Sequence, residues 1–270
     1  MKNKLQFLMA AMFIIGLYSH GAKSAIKDTG LESKLWQVQK VKIYDYAQRR
    51  LYYQRNDDRL VGRFIQFSDN GITSGYPFFI DCQQPAYSIS NQSVEDFIGK
   101  TVGAGNSASA EDYDLKDIAD HNIKLIDVQC KTGYFAGGDG VPTSVAMISP
   151  TEILMNWADG TVLQLQAVQK ENIKPSFNCE KASTPAEKTI CSNYQLAAWD
   201  TSVNHSYQTT RKMAKEIGGN DILKQIEGSQ KIWLKSRDTC TSDQQCLQQS
   251  MSDRLETLAN ILNEPTSVPY

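Results

Sequence analysis

Apolar positions along this chain change their period near Pro175. Before that point short apolar runs alternate with turn residues: Gly62 to Phe67, Ile72 to Ile80, Ala86 to Ile89, Ile123 to Val128, Val145 to Ile148 and Ile153 to Trp157. Short runs bounded by Gly, Asn and Asp predict strands. Two pairs read as hairpins, 63–67 with 72–80 across Asp69-Asn70-Gly71 and 153–157 with 161–168 across Asp159-Gly160. Asn-Gly and Asp-Gly supply the positive φ angles that a tight primed turn needs. In the second hairpin Val162, Gln164, Gln166 and Val168 alternate with Leu163, Leu165 and Ala167, so one face is expected buried and the other partly wet. The stretch Leu31 to Leu51 stays mixed: Leu31, Leu35, Val38, Tyr46 and Leu51 fall at mostly helical intervals, whereas Val41, Ile43 and Tyr44 suit a strand. Val94 to Ile98 predicts a short helix, and Gly103 to Ala110 a Gly/Ser/Ala loop.

Beyond Pro175 the period is helical. Thr184-Pro185-Ala186-Glu187 is a capping box with proline at the first helical position, which gives orphan backbone donors partners where a helix must start. Leu196, Trp199, Val203, Tyr207, Thr210, Ala214 and Ile217 then trace one stripe that Gly218-Gly219 ends. A second helix is expected after Asn220-Asp221, with Leu223, Ile226, Gln230, Trp233 and Arg237 on one face. A third runs from about Asp243 through Leu247, Met251, Leu255, Leu258 and Leu262 to Pro265. Three helices joined by short turns predict an antiparallel bundle. The fold class is therefore α+β in two domains, a β-rich, small-barrel-like domain over 25–173 and a helical domain over 176–264, with 265–270 as a tail.

The chain opens with Lys2 and Lys4, an apolar run from Phe7 to Tyr18, and small residues around Ala22, Ser24 and Ala25. That is the layout of a secretory signal over 1–24, cleaved between Ser24 and Ala25. The run is short of the about 20 residues of a membrane-crossing helix, and no later stretch approaches that length. No Cys follows it to take a lipid. Six cysteines lie beyond it, Cys82, Cys130, Cys179, Cys191, Cys240 and Cys246. An even count in an exported chain reads as complete disulfide pairing, and the expected location is the periplasm. Local pairs 179 with 191 and 240 with 246 are geometrically feasible and would leave Cys82 and Cys130 to staple the β-rich domain, but four cysteines in the helical domain allow three pairings. No C-x-x-C is present, and only His121 and His205 lie beyond the signal, so no metal and no cofactor are expected. From Ala25 to Pro175 there are 15 basic and 19 acidic side chains, and from Ser176 onward 10 and 11. Neither half offers the basic surface that nucleic-acid binding rests on.

The stretch Phe177-Asn178-Cys179-Glu180-Lys181-Ala182-Ser183-Thr184-Pro185-Ala186-Glu187-Lys188-Thr189-Ile190-Cys191 is specific. It continues with Leu196, Ala197, Asp200 and Tyr207, then Gln230, Trp233, Leu234, Arg237, Asp238, Cys240, Cys246, Arg254 and Leu258. Over about 176–262 this pattern resembles the LprI-type lysozyme-inhibitor family. The resemblance implies an envelope protein that binds a partner protein, a lysozyme or another muramidase, without chemistry of its own. The chain departs from the family's lipoprotein type in lacking a lipidation Cys and in carrying the β-rich domain ahead of the module.

Candidate side chains follow from the stripes. Trp199, Tyr207 and Trp233 fall on inward faces and read as core, with an N–H or O–H needing an acceptor. Asp200 and Arg237 are placed to form an inter-helix ion pair, and Glu187 closes the capping box. Glu111, Asp112, Asp114, Asp117 and Asp120, offset only by Lys116, form an acidic stretch that reads as a solvated face or as an attractor for a cationic partner. No nucleophile elbow, H-E-x-x-H pair or Ser-His-Asp set is legible, so no enzyme is expected. Two other readings remain open: an envelope immunity or assembly factor that works through its β-rich domain, and a cell-wall-fragment hydrolase, which needs two acids facing each other across a cleft.

Overall fold

A computed structural model of the protein describes residues 26–44, 46, 51–75, 80–102, 108–136, 143–217 and 219–261. The expected signal with its Ser24–Ala25 junction, most of the loop after Gly103, Leu262 and the tail lie outside them. Among the described residues, nine strands form one antiparallel sheet: β1 (Leu35–Lys42), β2 (Phe64–Phe67), β3 (Gly71–Ser74), β4 (Cys82–Gln83), β5 (Ala86–Ser93), β6 (Asn122–Gln129), β7 (Thr143–Ser149), β8 (Glu152–Trp157) and β9 (Thr161–Val168). Their order is β4-β3-β2-β1-β9-β8-β7-β6-β5, and the sheet curls into a half-barrel. Helix α1 (Ile26–Thr29) precedes it and α2 (Val94–Val102) follows β5.

Strand alternation feeds two cores, one on each face of the sheet. Ile126, Val145, Ile153, Met155, Leu163 and Leu165 pack inside the curl with Trp36, Val41 and Tyr87. Their neighbours Leu125, Ala146, Leu154 and Val162 point the other way, onto Val94, Phe97 and Ile98 of α2 and onto Tyr113. Both faces of β9 are thus covered near its turn, and its wet positions are confined to the far end, where Gln166 is exposed. The mixed stretch 31–51 resolves as strand from Leu35 to Lys42 because Val38 and Val41 find the curl and pair with β9.

The two hairpins differ from one another. Asp159 and Gly160 hold φ of 65° and 67°, as a primed turn requires, whereas neither Asn70 nor Gly71 has positive φ. The Ser68 hydroxyl closes the first turn instead, accepting from the Gly71 amide at 3.1 Å. Gly71 is already in β3, where a Cβ would stand 3.0 Å from the Cys82 carbonyl oxygen. Its lack of a side chain serves close strand approach, not turn conformation.

The helical half has one more element than the sequence pattern suggests. The capping box starts a short helix, α3 (Pro185–Ser192), with Thr184 Oγ1 accepting from the Glu187 amide and the Glu187 carboxylate accepting from the Thr184 amide. Asn193 then breaks the chain and caps α4 (Tyr194–Ile217), its Oδ1 accepting from the amides of Gln195 and Leu196. Helices α5 (Gly219–Asp238) and α6 (Gln244–Ile261) complete an antiparallel bundle with α4. Leu196, Trp199, Val203, Leu247, Met251 and Leu255 fill its core beside Ala186 and Ile190 of α3.

Three disulfides brace the chain: Cys82–Cys130 joins β4 to the end of β6, Cys179–Cys191 ties the entry of α3 to its last turn, and Cys240–Cys246 spans the α5–α6 turn. The halves meet along one seam. Phe64 of β2 packs edge-to-face on Tyr194, and Leu35 and Ala198 share their cluster. Arg63 donates from Nη2 to the Ala198 carbonyl at 3.1 Å and to Ser202 Oγ at 2.7 Å, with its guanidinium 3.5 Å from the Trp199 ring centroid. Arg59 reaches Glu256 of α6 at 3.1 Å.

Candidate functional site

A groove of about 340 Å³ opens between α4 and α5. At its floor Arg237 Nη1 lies 3.6 Å from Asp200 Oδ1, and both side chains are less than a tenth exposed. A buried pair of this kind is held only when further hydrogen bonds satisfy each partner. Here Asp200 Oδ2 accepts from the amide and hydroxyl of Ser176, at 2.8 and 2.6 Å, and Arg237 donates through Nε and Nη2 to Asp238.

Aromatic rings line the groove from both helices. Trp233 is half-buried and donates through Nε1 to the Ser250 carbonyl at 3.1 Å, with the guanidinium carbons of Arg237 and Arg254 5.5 and 6.0 Å from its ring centroid. Tyr207 sits across from it, half-buried, with Arg211 5.5 Å from its ring centroid. At the rim Glu227 pairs with Arg211 at 2.6 Å. Glu187 stands at the same mouth, its carboxyl held below its ordinary value chiefly by the backbone amides of Ser183 and Thr184. Leu234 of α5, which lines the groove, is 38% exposed and leaves apolar surface at the opening.

Five of the six side chains singled out in the helical half, Glu187, Asp200, Tyr207, Trp233 and Arg237, are brought to this groove; Trp199 instead lies in the core under Arg63. Sequence reasoning passed over the role of Arg254. It is buried, donates to Gln230 Oε1 at 2.9 Å and to Ser229 Oγ at 3.1 Å, and burial pushes its pKa down to about 10. Its signal was a cation on the inward stripe of α6, between Met251 and Leu255. The pairing of His205 Nδ1 with Asp58 Oδ1 at 2.8 Å was also missed, since 147 residues separate them. The acidic stretch is partly neutralised: Lys116 pairs with Glu111, Arg55 pairs with Asp114, and Asp112 accepts from the Ser109 amide.

Each carboxylate in the groove is already engaged, Asp200 by Ser176 and Arg237, Glu187 by its helix cap and Glu227 by Arg211. The arrangement presents fixed charge, aromatic walls and an apolar rim, which suits recognition of a surface more than proton transfer.

The fold is thus that of a mixed α+β protein, a curled antiparallel sheet followed by a disulfide-braced helical module. Residues 179–264 of the chain match the family model described as Lysozyme inhibitor LprI, so the helical module is an LprI domain. No curated protein and no solved structure matches the chain.

Proposed function

We propose that the protein is an exported binding protein that inhibits a lysozyme or other muramidase by occluding it through the α4–α5 groove and its apolar rim. The observation that carries this reading is that the matched segment builds the groove from both of its long facing helices. Occlusion needs no chemistry: about 800 Å² per partner, centred on an aromatic or arginine anchor, suffices for tight association. Trp233 backed by Arg237 and Arg254 is such an anchor. In this reading the regions 25–173 and 176–264 act as two domains that the Arg63 seam holds in one orientation.

Export is part of the proposal. It rests on the signal pattern of 1–24 and on three disulfides, which persist in oxidising compartments. Among the described residues no helix is long and apolar enough to cross a membrane. Fractionation is expected to recover a chain beginning at Ala25 from the periplasm; the unprocessed chain in the cytosol would refute export.

The central experiment titrates C-type and other lysozymes with the purified, disulfide-bonded protein. Cell-wall lysis is expected to fall with a saturable, stoichiometric dependence on the protein. Unchanged rates at micromolar excess would overturn the reading.

A further inference from the structure

A second cleft, of about 660 Å³, runs along the seam between the sheet and α4, apart from the α4–α5 groove. Its floor is apolar, formed by Val38, Val61, Val168, Ile173 and Ala198. The β1–β9 register slips by one residue between Val38 and Lys40, a bulge at Gln39. A regular strand would turn one of two successive side chains inward; the bulge leaves both Gln39 and Lys40 exposed, and both line the cleft. Bulges recur beside binding sites because they re-aim side chains in this way.

Charge in the cleft is uneven. Asp58 is its carboxylate, and His205 already engages it at 2.8 Å. Lys40 and Lys174 line the cleft, and among the described residues neither ammonium has a carboxylate partner. Behind the wall, next to Gly62, lies the buried guanidinium of Arg63, whose Nε and Nη1 make no hydrogen bond. Cationic groups thus outnumber anionic ones here, in a chain whose net charge is −2. Carboxamides of Gln39, Gln166 and Asn172 stand at the rim.

We propose that this cleft binds a short peptide ending in a free carboxylate. The two lysines meet the carboxylate through charge-assisted hydrogen bonds. The carboxamides, each both donor and acceptor, pair with the peptide's own amides, and the apolar floor takes an aliphatic side chain. A glycan fits less well, because the lining holds no Phe, Tyr or Trp ring to stack on a sugar face. The site is independent of the muramidase reading, and either can fail without the other.

The test is an NMR titration of the disulfide-bonded, ¹⁵N-labelled protein with Gly-Ala-Val, with its C-terminal amide and with chitotriose. Gly-Ala-Val is expected to shift the resonances of Gln39, Thr201 and His205, and the amide to bind about tenfold more weakly. Lys40→Gln and Lys174→Gln, both at exposed positions, are expected to erase the difference between acid and amide while leaving the resonances of the α4–α5 groove unchanged. Equal affinity for acid and amide, a preference for chitotriose, shifts confined to other regions, or no shift at millimolar excess would each overturn the proposal.

Discussion

Arg63, in the turn before β2, and Trp199, on α4, are stacked with 3.5 Å between guanidinium carbon and ring centroid, and both are buried. This contact joins the sheet half to the LprI domain. It carries a charge that burial disfavours, and the guanidinium pKa is pushed down to about 9 for that reason. Cation–π attraction grows as the cation is desolvated, so the ring offsets part of the cost of bringing the charge inside.

The first prediction separates packing from charge at this contact. Arg63→Ala removes the stack and the hydrogen bonds to Ala198 and Ser202 and leaves a cavity; a loss of about 3–5 kcal/mol is expected in urea unfolding. Arg63→Met keeps most of the stem volume and removes the charge, so the loss is expected to be about half as large. Equal losses would show that the guanidinium itself, not its volume, holds the seam.

The pair Asp200–Arg237 supplies the second. Removing one member leaves the other buried with its secondary partner alone, Asp238 for Arg237 and Ser176 for Asp200, so Arg237→Ala and Asp200→Ala are each expected to cost about 3 kcal/mol. The double variant is expected to cost clearly less than the two losses together, because neither charge is then left alone. Simple additivity would mean that the 3.6 Å approach carries no coupling.

Much of this organisation was legible because it is local. The capping box at Thr184, the stripes of α4 to α6 and the Asp159-Gly160 hairpin are short-range patterns with one physical solution each, and the ion pair followed from the helical period on both sides of a tight turn. What stayed hidden depends on contacts across the fold. Gly71 looked like a turn glycine until Cys82 was seen beside it, and the break at Asn193 was masked by apolar positions that continue through it. The groove's side chains stood out singly along the helical stripes, but their convergence depends on how α4 and α5 face each other. Arg63, Asp58 and His205 had no signature, since the seam that unites them depends on how the sheet docks on α4.

The disulfides should rank by the loops they close. The separations are 48 residues for Cys82–Cys130, 12 for Cys179–Cys191 and 6 for Cys240–Cys246. Loop-closure entropy then gives about 4, 3 and 2 kcal/mol respectively. Urea unfolding of the three paired Cys→Ser variants checks the order. A larger loss at Cys240–Cys246 than at Cys82–Cys130 would show that the bridges act on the native state and not mainly on the unfolded chain.

A pH dependence follows from Glu187. Its carboxyl is held below its ordinary value of 4.5, first by the Ser183 and Thr184 amides and to a smaller degree by the charge of Arg237. A folded-state pKa below the unfolded one stabilises the fold above the unfolded value, and that contribution is lost as pH falls through the folded value. Glu187→Gln keeps an acceptor for the cap but cannot titrate. Its thermal midpoint is expected to fall less than the wild type's between about pH 5 and pH 3. Parallel curves would refute this assignment.

The last prediction places inhibition on the groove and not elsewhere on the surface. Leu234 lines the groove and is 38% exposed, so a charge there meets water in the free protein and disturbs folding little. In a complex the same charge is desolvated against the partner without a counter-ion, which costs more than the lost apolar contact alone. Leu234→Asp is therefore expected to weaken muramidase inhibition by about a hundredfold, close to 3 kcal/mol, while the urea midpoint stays within about 0.5 kcal/mol of wild type. Tyr134→Asp, at a tyrosine of the sheet half that is 37% exposed, is the matched control and is expected to leave inhibition unchanged. The reverse pattern, with inhibition lost in Tyr134→Asp and kept in Leu234→Asp, would move the contact surface to the sheet half and leave the LprI domain as its support.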